Sequence, residues 1–429
     1  LYFKLDFSID SILIVLVLSV PLLLISGPLL SDLSISLITI LFLYKSYKLK
    51  LYQYYKSKFF IIFSLFYIYI LLNSIFNNFN IQSFKVSLFY FRFGIFALAV
   101  WYIINLNKNI LRIFFWVFIF CFLILIVDGF YQYINGENLF GYKIDRSNRV
   151  SSFFGSELVL GSYISRLFPI LFSLTILILN KKNIYLTSII FILAEALIFI
   201  SGERTSFAIL LISALYCSIC LKRFKLFRIT IILFSLALIF IITKFNITAK
   251  ERMIDQTLQQ MQIDTFLSNN KKINETNERR KIIVFSEQHT DHYISALRMF
   301  KENIIFGVGV RNFRNYCDQL KYKVSEKSCS THPHNFYIQL LSETGLIGFF
   351  YIFFFLVVFL FFSLRHLLFS FKKIYIFSDF EISIMSAILI TLWPIAPSGN
   401  FFNNWLSIVI YLPIGMLLWS LNNKNIKKL

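Results

Sequence analysis

Leu346–Leu364 reads LIGFFYIFFFLVVFLFFSL, nineteen residues without a charge. As a helix rising 1.5 Å per residue it reaches roughly 28 Å, close to the hydrocarbon thickness of a bilayer. Runs of this kind recur along the 429-residue chain, as at Ser11–Leu30, and centre near residues 20, 38, 67, 94, 119, 168, 191, 212, 236, 350, 386 and 410. The spacing predicts about twelve transmembrane helices, the second being the shortest. Composition agrees: 58% of residues are hydrophobic and 15% charged, whereas a soluble domain carries about 25% charge. In hydrocarbon each backbone polar group must be satisfied inside its own segment, so the expected fold is all-α and polytopic. The first run lacks a small-residue cleavage site and reads as a retained helix rather than a signal peptide.

The formal charge is +20, yet it implies no nucleic-acid partner, because the cations fall in short clusters between apolar runs. These are Lys45, Lys48, Lys50, Lys56 and Lys58; Lys108 and Arg112; Lys181 and Lys182; Lys222, Arg223, Lys225 and Arg228; Arg365, Lys372 and Lys373; and Lys424, Lys427 and Lys428. With twelve crossings all six clusters share one side, which the positive-inside rule makes cytoplasmic, along with both termini. Two long connections then face outward, 129–157 and about 245–333. They divide the chain into an N-terminal membrane part (1–244), an external cap (245–333) and a C-terminal membrane part (334–429). Within the cap, Tyr293, Ala296, Leu297 and Phe300 repeat at helical spacing before Gly307 and Gly309. The charged stretch 268–280 is the expected mobile part. Ionisable residues inside apolar runs normally face a cavity or a partner; Arg92, Asp128, Glu195 and Arg204 qualify, and for Arg92 structural pairing and substrate contact remain open.

Four of the five histidines, His289, His292, His332 and His334, belong to the cap or its edge. A metal would need a further ligand at characteristic spacing, and neither a carboxylate nor a cysteine supplies one; histidine and arginine serving an anionic substrate fits better, with no metal. Cys317 and Cys329 lie twelve positions apart in the external loop, where an oxidising compartment favours a disulfide. Closing that loop stabilises the fold by about 3 kcal/mol in the chain-entropy model. Cys217 and Cys220, near the cytoplasmic end of a membrane run, read with Cys121 as packed or lipid-facing thiols.

Ser201-Gly-Glu-Arg-Thr-Ser206 at an external helix boundary is followed far downstream by His332-Pro-His-Asn-Phe-Tyr-Ile-Gln-Leu-Leu-Ser-Glu-Thr-Gly-Leu-Ile-Gly348. In order and topology this closely resembles the O-antigen ligase and polymerase family. Asn303–Gly309, Arg149–Pro169 and Pro397–Trp405 are similar to it as well.

The resemblance implies a glycosyltransferase of the bacterial inner membrane, working at its periplasmic face. The donor would be an undecaprenyl-pyrophosphate-linked glycan and the acceptor the lipid A core, or the growing glycan on another carrier lipid in a polymerase. Apart from these partners and membrane lipid, no cofactor is implied. Arg204 matches the family's boundary arginine, a planar cation suited to a pyrophosphate. His334 matches the histidine before asparagine, which can take the acceptor hydroxyl's proton. Around these catalytic candidates, His332, Asn335, His289, His292, Arg298, Arg311, Arg149 and Arg92 are candidate substrate-binding residues, with Arg314 a further cation nearby. One departure stands out: His289 occupies the place of a loop arginine. The rival reading, a polysaccharide flippase or transporter, calls for an internal repeat and broken helices, and no convincing repeat is present.

Overall fold

A computed structural model describes residues 8–77, 79–145, 149–178, 181–260 and 285–423; the polar stretch 268–280 lies outside them. Among the described residues all regular elements are helical, and each expected apolar run forms a helix. In chain order these are α1 (Ile9–Ile25), α2 (Pro28–Leu49), α3 (Lys58–Phe76), α4 (Ile81–Phe89) continuing as α5 (Phe91–Leu106), α6 (Ile110–Asn135), α7 (Leu160–Ile178), α8 (Lys181–Ser201), α9 (Arg204–Cys220) and α10 (Lys225–Phe245). The cap helix α11 (Glu287–Glu302) follows, then α12 (Phe336–Phe371), α13 (Asp379–Thr391) and α14 (Asn404–Asn422).

Among the described residues nine helices, counting α4 and α5 as one, are long and apolar enough to cross a membrane. The chain is thus an all-α polytopic membrane protein. Three of the twelve expected spans fall short of that length: α1 and α9 have 17 residues each and α13 has 13. The second span is not the shortest. Gly27 turns the chain at φ 112° and Pro28 opens α2, so Leu29 and Leu30 join a 22-residue helix. The shortest is α13, which stops just before Pro394.

Helices α5, α7 and α14 form the buried centre, α5 packing on α14 and α2, and α7 on α8, α9 and α13. The outer helices α10 and α12 bury little and present Phe, Ile and Leu outward. The links group onto two faces. On the basic face Asp379 accepts the N–H groups of Lys222 and Arg223 at 3.0 and 3.1 Å, and Asn423 donates to Asn105 at 3.0 Å. On the other, the end of α10 meets the end of α6 through Asn246 and Tyr133.

The 36 residues of α12 would extend roughly 54 Å as one rod, too long for a bilayer. Gly345 breaks the rod with φ 64° and ψ −162°. Into that break fits the segment Asn303–Gly309: Val308 and Gly309 donate to the carbonyls of Ser342 and Glu343 at 2.8 and 2.9 Å, and Leu346 donates to Ile304 at 2.9 Å. A Cβ at Gly307 would lie 2.4 Å from the Glu343 carbonyl carbon, and one at Gly345 would lie 2.2 Å from the Ile305 oxygen. Tyr69 and Asn77 of the α3 end hydrogen-bond Thr344 and Gly307. Two sequence motifs forty residues apart are therefore two halves of one joint.

Candidate functional site

The turn between α8 and α9 gives each residue of Ser201-Gly-Glu-Arg204 a task. The Ser201 carbonyl accepts from Arg149 Nε at 3.4 Å, and the Gly202 carbonyl accepts from Arg252 Nε at 3.2 Å. Gly202 adopts φ 71°, and a Cβ there would meet the Arg252 side chain. Glu203 turns inward, where its carboxylate accepts from the backbone N–H groups of Gly161 and Ser162 at 2.7 and 3.2 Å and from the Ser206 hydroxyl at 3.0 Å. Burial raises its pKa, a shift opposed by these hydrogen bonds and by Arg149, 3.9 Å away. Arg204 then opens α9, with Nη1 on the Thr257 hydroxyl at 3.2 Å.

Arg252 belongs to a helical extension just past the end of α10. Burial lowers its pKa, and the nearby charges of Arg149 and Arg204 lower it further. Arg149, Arg204 and Arg252 thus gather at one turn with Glu203, and Asp145 adds a second carboxylate near Arg252; guanidiniums stay charged.

The histidines form a second cluster. Ser286 caps α11 by accepting from the His289 N–H. The helix buries His292, Tyr293, Ala296 and Met299, while Leu297 is 38% exposed. Of the four apolar residues at helical spacing, Tyr293 and Ala296 are buried and Leu297 is not, because the helix packs through Ala296 and Met299 onto Val308, Phe313, Cys317 and Tyr322. Cys317 and Cys329 are disulfide-bonded, Cα atoms 5.0 Å apart, and fix the chain just before His332. The His334 ring centroid lies 4.1 Å from that of His332, 5.2 Å from His292 and 5.4 Å from His289. Among the described residues no group of three or more His, Cys, Asp or Glu side chains is disposed to hold a metal ion.

The backbone of His334 is fixed tightly. It has φ 59°, its carbonyl accepts from Ser398 N–H at 2.8 Å, and the next residue caps α12. Asn335 acts structurally: Oδ1 caps α12 by accepting from Tyr337 and Ile338, and Nδ2 donates to the Pro394 carbonyl at 2.7 Å. The Pro397–Trp405 stretch thereby braces the histidine. Gln339 extends the brace, donating to Glu343 and Asn400 and accepting from Phe401 N–H.

Burial pushes the pKa of His334 down to about 3, and the neighbouring His332, His289 and His292 push the same way. His332 drops to about 4, through burial and then the charges of Arg314, His292 and Arg311, partly opposed by a hydrogen bond at Ser398. His289 is lowered by burial, then by His292 and by Arg204, so it borders both clusters. Burial also lowers His292. At neutral pH these shifts keep the cluster uncharged beside a fixed cationic turn.

The remaining sequence candidates divide. Arg149 joins Arg204, and Arg311 and Arg314 flank His332. Arg298 is exposed and bonds the Lys323 carbonyl at 2.6 Å. Arg92 pairs with Asp32 at 2.8 Å and with the Ser36 hydroxyl at 2.8 Å, which favours the structural alternative. Asp128, fully buried, accepts from Ser152 and Leu139 and anchors the loop after α6, which runs on to Asn135 beyond the expected loop start at 129. Sequence reading missed Arg252 and Glu203. The available signal for Arg252 was its position just beyond an apolar run, at the same membrane end as Arg204.

Residues 188–353 match the family described as O-antigen ligase. The matched segment contains Arg204, Arg252, the disulfide, all four clustered histidines and the Gly345 joint. No curated protein matches the chain.

Proposed function

We propose that this chain, whose residues 188–353 match the family described as O-antigen ligase, works as a member of that family and moves a glycan from undecaprenyl pyrophosphate to a hydroxyl of lipid A core at the periplasmic face of the inner membrane. The observation that carries the reading is the apposition of an uncharged histidine cluster with a turn bearing three guanidiniums, His289 bordering both. His334 takes the proton of the acceptor hydroxyl as that oxygen attacks the anomeric carbon. The bond between the anomeric carbon and the phosphate oxygen breaks, and the pyrophosphate departs with the electron pair. Arg204, Arg252 and Arg149 face that growing negative charge, a job that needs no metal. His332, His289 and His292 keep His334 neutral; Arg311 and Arg314 guide the anionic substrate; Asn335, by capping α12, holds the histidine in place. In this reading residues 245–333 are the cap over a site built by the membrane parts 1–244 and 334–429.

Lipid analysis of a strain lacking the chain tests the reading. Polymer left on the undecaprenyl carrier, with core lacking its glycan, is the expected result. Accumulation of single repeat units would make the chain a polymerase of the same chemistry, and an unchanged glycolipid pattern would overturn the assignment.

A further inference from the structure

Thirteen residues along α9 from Arg204, roughly 20 Å away, the bundle opens again near the basic face. There α7, α8, α9 and α10 part around a cleft of about 830 Å³, including its open mouth. Its walls are apolar, built by Phe168, Phe172, Ile176, Phe191, Ala214 and Ile231. One end is polar and holds Ser218, Arg223, Arg228 and Asp379.

The polar end is incompletely satisfied. Arg228 is 9% exposed; Nη2 donates to the Leu221 carbonyl at 3.0 Å, whereas Nε is buried without a hydrogen-bond partner among the described residues. The Ser218 hydroxyl, on a residue 6% exposed, is buried and unpartnered in the same way. Asp379 does not answer them with a hydrogen bond, since its two oxygens accept the backbone N–H groups of Lys222 and Arg223. A buried guanidinium nitrogen without an acceptor costs free energy unless a ligand supplies one. What fits must carry an anionic oxygen at one end and hydrocarbon at the other, because water or a small ion would leave the phenylalanine walls bare. Lys222 and Lys225 are exposed beside the mouth and add the field that draws anionic headgroups to a basic pocket between membrane helices.

We propose that this cleft binds one anionic glycerophospholipid from the leaflet facing the basic clusters. Its phosphate accepts from Arg228 Nε and Ser218 Oγ, and an acyl chain lies along Phe168, Phe172 and Ile231.

The test is native mass spectrometry of the full-length protein in detergent, with phosphatidylglycerol or phosphatidylcholine added, alongside melting temperatures. The wild type should retain one phosphatidylglycerol and hold phosphatidylcholine more weakly. Arg228→Gln should weaken retention by about tenfold, the effect of losing one charge-assisted hydrogen bond. Ala214→Phe, which fills the cleft and leaves Arg228 itself unaltered, should do the same and keeps the test decisive if Arg228→Gln does not fold. Undiminished phosphatidylglycerol retention by Ala214→Phe overturns the proposal, as does equal retention of phosphatidylcholine by the wild type. Inorganic phosphate raising the melting temperature as much as the lipid does would assign the site to a free anion and also overturn it.

Discussion

The ring of His292 stacks on that of His334, with planes 25° apart and centroids 5.2 Å apart. Protonating either ring places a cation against the other, so the pair favours the neutral form, and burial adds to that preference.

His334→Ala should lower glycan transfer by at least about 10²-fold while the protein still inserts, the usual loss for a general base. His334→Gln should fare no better; near-parental turnover by the Gln variant would reduce the residue to a hydrogen-bonding role.

The pH dependence has a defined sign. Because the pKa of His334 is depressed to about 3, below the ordinary value near 6.5, the base stays competent well below pH 6.5. Removing one titratable neighbour, as in His292→Gln, should shift the acid limb of the rate profile to higher pH, because protonation of His334 is then no longer opposed by a second imidazole. An unmoved limb would show that the neighbours do not tune it. For stability, the unfolded chain takes up the proton first, so folding free energy from this group is present above pH 6.5 and lost as pH falls from there toward 3.

Arg204→Ala and Arg252→Ala should each reduce transfer by about 10²- to 10³-fold, the scale for losing one donor to developing charge. Arg204→Lys should rescue poorly, since an ammonium lacks the planar fork that two phosphate oxygens accept. Parental turnover by Arg252→Ala would move the leaving-group contact to Arg311 and Arg314.

Gly345→Ala and Gly307→Ala should destabilise the detergent-solubilised protein. The positive-φ backbone alone costs about 1–3 kcal/mol, and the new methyl groups would lie 2.2 and 2.4 Å from backbone atoms. A melting temperature equal to that of the parent would mean that the joint yields.

A single cysteine at Leu320, 93% exposed on the cap, in a chain otherwise cleared of cysteine, should react with an impermeant thiol reagent in intact cells. Labelling only after lysis would place the cap on the cytoplasmic side and remove the site from the periplasm.

Much of the fold was legible because bilayer thickness imposes a length on each span, and runs such as Leu346–Leu364 announce it. Boundaries were less so: only a positive φ at Gly27 shows where α1 ends, and apolar Leu29 and Leu30 give no hint of it. The proposed roles of Arg204 and His334 start from motif text, whereas Arg252 enters only with the structure, because its approach to Gly202 depends on how the chain returns after α10. At Arg92 the sequence left two readings open for the opposite reason. A cation within a span suggests a cavity, and its partner Asp32 belongs to the adjacent helix α2, which sequence alone does not bring near.

The left-handed backbone at His334 sets two selective pressures against each other. Glycine would occupy φ 59° without the roughly 1–2 kcal/mol that an L side chain incurs there, yet glycine has no imidazole. His334→Gly should therefore melt no lower than the parent while being inactive. A screen for thermal tolerance alone would drift away from histidine at this position, and drift toward function would accept a less tolerant protein.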